Sequence, residues 1–253
     1  MKTLKQKMSA GEVVLGTMLS ELSSPNLVRI LKTAGFEFIV VDCEHGYFDF
    51  SQLANIVSVG NGFNLPIIVR IPFIEREFIT KVLDMGGDGL LSPMVNTVED
   101  AECLVRFAKY PPLGKRGIST TRAHTDYNPP PLSEYLPLAN QRTMVLAQIE
   151  TKEAVGNAAA IAAVEGVDAV IVGPNDLAGD LGTPGRLDTP EMDAAVGAVV
   201  EAARSAGKAC GIIDSKVPFL HKWRDRGMNV FSCGSEVGMV MKAAHGTIAE
   251  FRG

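Results

Sequence analysis

Eight short apolar runs recur along the chain, each followed by a longer amphipathic or polar stretch. They are Val13–Leu19, Phe38–Val41, Ile67–Ile71, Gly89–Met94, Thr143–Ile149, Asp168–Gly173, Ala209–Ile213 and Asn229–Ser232. Their apolar residues are consecutive rather than alternating, which marks strands covered on both faces, as in a parallel sheet wrapped by helices. The stretches between them carry helix punctuation. Pro25–Ala34 has Ser24 in N-cap position, Pro25 at the first helical position and Gly35 as a stop. Thr97–Lys109 opens with Thr97 and Asp100 spaced as a capping box, Thr151–Val164 is alanine-rich, Thr189–Ala206 has Pro190 at its start, and Val217–Arg226 stops at Gly227. These are the residue types that satisfy the unpaired groups at helix ends.

Eight β-then-α units in 253 residues predict an α/β fold, a (β/α)8 TIM barrel forming a single domain over residues 1–253. An open doubly wound sheet is the competing architecture, but no G-x-G-x-x-G follows the first run, so a dinucleotide fold is not indicated. One stretch breaks the rhythm. Tyr110–Leu132 holds several prolines and the run Gly114-Lys115-Arg116-Gly117-Ile118-Ser119-Thr120. A long irregular segment in a compact barrel is usually functional, so it is expected either over a mouth of the barrel or as a rigid solvent-facing linker.

The net charge of −5 and the lack of a Lys/Arg run argue against a nucleic-acid partner. No run approaches the length needed to span a bilayer, so no membrane association is expected. The basic start, Met1–Met8, lacks the apolar core of a signal peptide. None of the four cysteines, Cys43, Cys103, Cys210 and Cys233, lies in a C-x-x-C pair. Reduced thiols in a cytoplasmic protein are the reading this favours.

Chemistry concentrates where the runs end. Phe38–Val41 leads into Asp42-Cys43-Glu44-His45, Ile67–Val69 into Arg70, Val145–Ile149 into Glu150, and Val170–Val172 into Gly173-Pro174-Asn175-Asp176. In a (β/α)8 barrel these carboxyl ends line the active site. Glu150 and Asp176 on adjacent strands suit Mg2+ or Mn2+, which take oxygen ligands and keep open positions; both also precede helical stretches, where acids serve as caps. Asp42 could orient His45 as a general base, or His45 is a polar residue satisfied by a neighbour. Arg70 could neutralise an oxyanion, or form an ion pair with Asp42 or Glu44. No apolar run carries a lysine at which a Schiff base could form, which favours metal over imine chemistry.

The collinear set Asp42-Cys43-Glu44-His45-Gly46, Val69-Arg70-Ile71-Pro72, Gly114-Lys115-Arg116-Gly117, Gln148-Ile149-Glu150-Thr151 and Gly173-Pro174-Asn175-Asp176-Leu177 resembles the HpcH/HpaI family, the class II pyruvate-dependent aldolases. The resemblance runs from about Gly11 to the C-terminus. It implies reversible cleavage of a 4-hydroxy-2-oxo acid, of hydroxy-oxo-diacid or sugar-acid type, to pyruvate and an aldehyde through a metal-held enolate. It implies a divalent metal (Mg2+, Mn2+ or Co2+) on Glu150 and Asp176. Arg70 would contact the keto oxygen, and His45, supported by Asp42, would move the proton. Gln148, Pro174 and Asn175 would lie beside the pyruvate. From the residues themselves, Glu44, lying between Asp42 and His45, could be an acceptor supporting that pair. The resemblance also implies a homohexamer, a trimer of dimers that exchange a C-terminal helix at about 236–251.

Two departures from the family pattern bear on the aldehyde. Gly16-Thr17-Met18-Leu19 lacks a tryptophan common in relatives, and Cys43 and Tyr47-Phe48 are unusual near the histidine. Two other activities share the same machinery: an oxaloacetate decarboxylase and an acyl-CoA lyase. A CoA ester would need a basic surface, and only Lys115, Arg116 and Arg122 are on offer. A non-catalytic acid-binding barrel is the remaining class, disfavoured by the intact set of base, arginine and acids.

Overall fold

The computed structural model describes residues 2–253. Strands β1 (Val14–Leu19), β2 (Phe38–Asp42), β3 (Ile67–Arg70), β4 (Gly89–Ser92), β5 (Met144–Ile149), β6 (Ala169–Val172), β7 (Ala209–Asp214) and β8 (Val230–Ser235) pair in sequence order and close into a barrel. All pairings are parallel, and β1 joins β8. The α/β barrel expected from the eight runs is the observed fold.

Among the described residues the helices are α1 (Leu4–Ser9), α2 (Asn26–Ala34), α3 (Phe50–Gly62), α4 (Arg76–Asp84), α5 (Val98–Ala108), α6 (Leu132–Arg142), α7 (Lys152–Ala163), α8 (Pro174–Asp180), α9 (Pro190–Ser205), α10 (Val217–Arg224) and α11 (Glu236–Arg252). The capping box at Thr97 and Asp100 forms as expected, and Thr151 and Thr189 cap α7 and α9. One cap differs. Pro25, not Ser24, is the N-cap of α2, and no side chain caps that helix. For α3, α4 and α8 the sequence predicts a helical stretch between strands without marking its bounds, whereas α1 and α6 are additional to the eight β-then-α units. Glycines obscure α3, and Pro137 inside α6 breaks its pattern, so apolar periodicity alone understates both.

Two apolar shells follow from the period of two along each strand. Residues pointing outward, such as Ile39, Val41, Ile67, Val69, Val145 and Ile149, pack under the helices. Those pointing inward, among them Val14, Phe38, Val40, Ile68, Leu91, Met144, Leu146 and Ile171, fill the barrel. Leu4 and Met8 of α1 join this inner cluster and so plug the N-terminal end. Gly16 is required here: a Cβ would meet the Phe38 ring at 2.5 Å. The inward phase continues upward into polar residues. Asp42 follows Val40, Arg70 follows Ile68, and Gln148 then Glu150 follow Leu146. The alternation that builds the core therefore also aims the polar groups into the mouth.

The irregular segment after α5 takes a different place from the one expected over the mouth. Tyr110 is bracketed by the Asn140 side chain of α6, Arg116 pairs with Asp84 at 2.7 Å, and His124 Nδ1 lies 3.1 Å from the Asp84 carbonyl. Its side-chain anchors are on α4 and α6, at the ends that lead into β4 and β5. They lie at the opposite end of the barrel from the strand carboxyl ends.

Candidate active site

Asp42 and Arg70 end neighbouring strands and stand opposite each other in the β2–β3 register. The Arg70 guanidinium grips the Asp42 carboxylate as a fork, Nε to Oδ1 at 2.9 Å and Nη2 to Oδ2 at 2.6 Å. Its Nη1 reaches Glu44 Oε2 at 3.1 Å. Asp42 and Arg70 are both buried. Such a charge-assisted fork fixes the plane of the guanidinium. Burial works against ionisation of Asp42, but Arg70 and the backbone N–H groups of His45 and Glu44 outweigh it and hold the carboxyl below its ordinary 3.8.

This arrangement corrects the expectation that Asp42 orients the His45 ring. Asp42 Oδ1 accepts the His45 backbone N–H at 3.3 Å, while Arg70 occupies both carboxylate oxygens. The imidazole is exposed, and its Nε2 lies 3.9 Å from Glu44 Oε2. Glu44 is thus the acid nearest the ring. Burial raises the Glu44 pKa above its ordinary value, the Arg70 charge opposes this, and the Glu150 and Asp42 carboxylates add to the rise.

On the other side of the mouth, Glu150 is 2% exposed. Its Oε1 accepts the Met94 N–H at 2.7 Å, and its Oε2 accepts from Gln148 Nε2. Met94 adopts a left-handed backbone, φ 52°, which costs a non-glycine residue free energy and is typical of functional sites. Burial and the nearby Asp176 carboxylate hold the Glu150 pKa above 4.5, although Gln148, Met94 and Arg70 pull it down. Asp176 is exposed on the first turn of α8, after Pro174 and Asn175. Gln148 Oε1 is buried with no hydrogen-bond partner, an orphan acceptor beside the acid pair.

Gly173, at the N-cap of α8, faces this acid. A Cβ there would overlap Glu150 Oε2 and approach Gln148 Nε2 at 2.8 Å. Gly173→Ala is therefore expected to displace the Glu150 carboxylate, costing roughly 1–3 kcal/mol of stability, and to weaken at least tenfold any divalent-cation binding that this carboxylate supports. Denaturant titration and calorimetry of Mn2+ binding check both; unchanged cation affinity would show that the carboxylate has room to move.

Among the described residues, no group of three or more His, Cys, Asp or Glu side chains is placed to hold a metal. Glu150 and Asp176 alone would leave most positions of a divalent ion open to substrate and water, the arrangement that metal-assisted catalysis requires. The donors are hard oxygens, which fit Mg2+ or Mn2+. Sequence reasoning missed two features of the site, the Met94 backbone N–H and the close approach of Gly173 to Glu150. Their partners lie far away in sequence, so no local pattern announces them.

A buried arginine–acid fork, an exposed histidine and an acid pair at the carboxyl ends of a (β/α)8 barrel define an enzyme of the barrel class. Residues 17–243 match the model of the HpcH/HpaI aldolase/citrate lyase family. The chain is 33% identical over 250 residues to a hydroxypyruvate/pyruvate aldolase of Roseovarius nubinhibens, covering 99% of this chain and 96% of that protein. It is 33% identical over 239 residues to the 5-keto-4-deoxy-D-glucarate aldolase of Escherichia coli K12, covering 94% and 92%. The crystal structure of an HpcH/HpaI aldolase from Desulfitobacterium hafniense superposes with a TM-score of 0.95 at 34% identity, covering 100% of this chain and 97% of that one. This chain belongs to the HpcH/HpaI aldolase family and is a carbon–carbon lyase of the class II aldolase type.

Proposed function

We propose that the protein cleaves a 4-hydroxy-2-oxo acid reversibly to pyruvate and an aldehyde, with Glu150 and Asp176 holding a divalent cation, Mg2+, Mn2+ or Co2+. The observation that carries this reading is Glu150 itself. It is a buried carboxylate beside a second acid, with no cationic side chain paired to it among the described ion pairs, and the orphan Gln148 Oε1 lies next to it. A buried charge left in that state is costly, and a cation removes the cost. When bound, the cation supplies a Lewis acid for the keto group of the substrate.

The residues do the rest. Arg70, its plane fixed by Asp42 and Glu44, presents positive charge to the keto oxygen as negative charge develops there. Gln148 orients the oxo acid. Pro174 presets the backbone at the start of α8, and Asn175 follows it beside Asp176. In the cleavage direction His45, with Glu44 beside it, accepts the proton of the C4 hydroxyl. The C3–C4 bond then breaks, its electron pair passes toward the keto oxygen, and the aldehyde leaves. Protonation of C3 from water yields the pyruvate methyl group, and His45 returns its proton to solvent.

Metal-dependent exchange of the pyruvate methyl protons in D2O tests the pyruvate half without knowledge of the aldehyde. Exchange with Mn2+ or Mg2+, abolished by EDTA, is expected; exchange that persists in EDTA would overturn the metal assignment.

The single-domain barrel assembles, in this reading, as a homohexamer, a trimer of dimers exchanging α11. Beyond its first residue, no side chain of α11 is buried, and Val240, Met241, Ile248 and Phe251 are exposed. Leu15 on the outer face of β1 is exposed as well. Apolar surface of this kind on a barrel strand and its last helix fits a partner subunit. Sedimentation velocity is expected to give six times the 27.0 kDa chain mass, and a monomer would exclude the exchange. No described helix is long and apolar enough to cross a membrane. Four free thiols fit action in a reducing cytoplasm.

A further inference from the structure

The mouth has a third buried acid, which the chemistry above does not use. Glu236, the first residue of α11, is 2% exposed, and no cation pairs with it among the described ion pairs. Its carboxylate instead accepts three successive backbone N–H groups of the loop after β1. These are Ser20 at 2.9 Å, Glu21 at 2.6 Å and Leu22 at 3.0 Å, with the Ser20 hydroxyl at 3.2 Å. Successive N–H groups turned to one point form an anion cradle, and here a side chain from the far end of the sequence fills it. Glu236 thus gathers four donors of this loop on one carboxylate.

That loop leans on the segment carrying His45. A Cβ on Gly46 would come within 2.6 Å of the Ser20 carbonyl oxygen, so the two backbones touch beside the histidine. Tyr47 Oη donates to Glu21 at 2.8 Å. Glu236 therefore ties three elements together: α11, the loop after β1 and the His45 loop. All lie on the β8–β1–β2 side of the mouth. Arg70, Gln148, Glu150 and Asp176 stand on or after β3, β5 and β6.

We infer that Glu236 is a positioning residue for the aldehyde half of the reaction, acting by holding the loop after β1 against the His45 loop. The inference rests on the assignment of His45 to the C4 hydroxyl proton. It separates the two halves: disturbing Glu236 misplaces the histidine while the oxo-acid groups stay put. A displacement of about 1 Å at a catalytic group lowers a rate by up to roughly 100-fold. It also makes α11 a lever on the mouth, since the helix that carries Glu236 extends beyond the barrel.

The test compares the full-length wild type with Glu236→Gln and Glu236→Ala by three readouts. In Glu236→Gln one cradle-facing oxygen becomes an NH2 group, which opposes the loop's N–H donors. Amide hydrogen exchange of Ser20–Leu22 is expected to accelerate at least tenfold. The kcat/KM for cleavage of 4-hydroxy-2-oxopentanoate is expected to fall roughly 10- to 100-fold. Metal-dependent methyl exchange of pyruvate is expected to stay within about threefold of wild type, and formate should restore part of the cleavage activity of Glu236→Ala by refilling the cradle. Equal loss of cleavage and methyl exchange, or loss of neither, would overturn the inference. If Glu236→Ala does not fold, the near-isosteric Glu236→Gln decides; if neither folds, Glu236 is structural only and the inference is lost. Failure of methyl exchange in the wild type would instead count against the proposed metal-dependent pyruvate chemistry, while the amide exchange still reports on the cradle.

Discussion

Arg70→Ala is expected to lower kcat/KM for cleavage by roughly 100- to 1,000-fold, the scale seen when a preorganised donor to a developing oxyanion is removed. The same change is expected to destabilise the fold by about 3–5 kcal/mol, because it strands buried charge. Asp42 is 3% exposed and would lose both bonds of its fork, and Glu44 would lose its nearest cation. Arg70→Lys restores charge but not the fork, so it should recover part of the stability and little of the activity. Acid titration gives an independent reading. The Asp42 pKa is lowered, so the pair contributes stability above the ordinary 3.8 that is lost as pH falls through the lower folded value. The stability gap between wild type and Arg70→Ala should therefore narrow below pH 3.8. A variant that is inactive yet as stable as wild type at every pH would show that Arg70 is not the structural partner of Asp42.

Glu150→Gln should move activity and stability in opposite directions. Metal-dependent methyl exchange is expected to fall on the order of 1,000-fold, since one of the two acids proposed to hold the cation is gone. Stability of the metal-free protein at neutral pH is expected to rise. Burial and Asp176 together raise the Glu150 pKa, so the ionised form works against folding. For such a group, stability is fully present below the ordinary 4.5 and is lost as pH rises through the raised folded value. The advantage of Glu150→Gln should accordingly appear above the raised value and vanish below 4.5. The amide can still accept the Met94 N–H through its oxygen, so that bond survives. This is the trade-off expected where an active site holds charge in an unfavourable place. Retained exchange in Glu150→Gln would remove this residue from the metal site, whereas a loss of stability would mean that the carboxylate already has a compensating partner.

The eight strands were legible because a strand buried on both faces must be apolar throughout, and no other element of that length has the same requirement. Helix ends marked by Thr97, Thr151 and Thr189 were legible because capping is local chemistry. Helix α6, interrupted by Pro137, is held by Tyr135 and Ala139 packing with Tyr110 of the preceding segment rather than by its own pattern. The segment around Arg116 shows the limit most plainly. Its composition allows either a loop over a mouth of the barrel or a solvent-facing linker, but Asp84 and Asn140 hold it at the end away from the strand carboxyl ends, and neither partner can be inferred from the segment itself.

The residues at the strand ends, and therefore the inventory of arginine, histidine, amide and acids, were determined by the sequence alone. A period of two along β2, β3 and β5 obliges Asp42, Arg70, Gln148 and Glu150 to continue the inward face of the core. What each group does with its neighbours was decided only by the tertiary structure. Arg70, not His45, takes both Asp42 oxygens, because the pairing of β2 with β3 settles on a register that puts the guanidinium opposite that carboxylate. Glu236 reaches a loop more than 200 positions away only because β8 pairs with β1. Contacts of that range depend on how the chain closes on itself, and closure is a property of the whole barrel that no local stretch encodes.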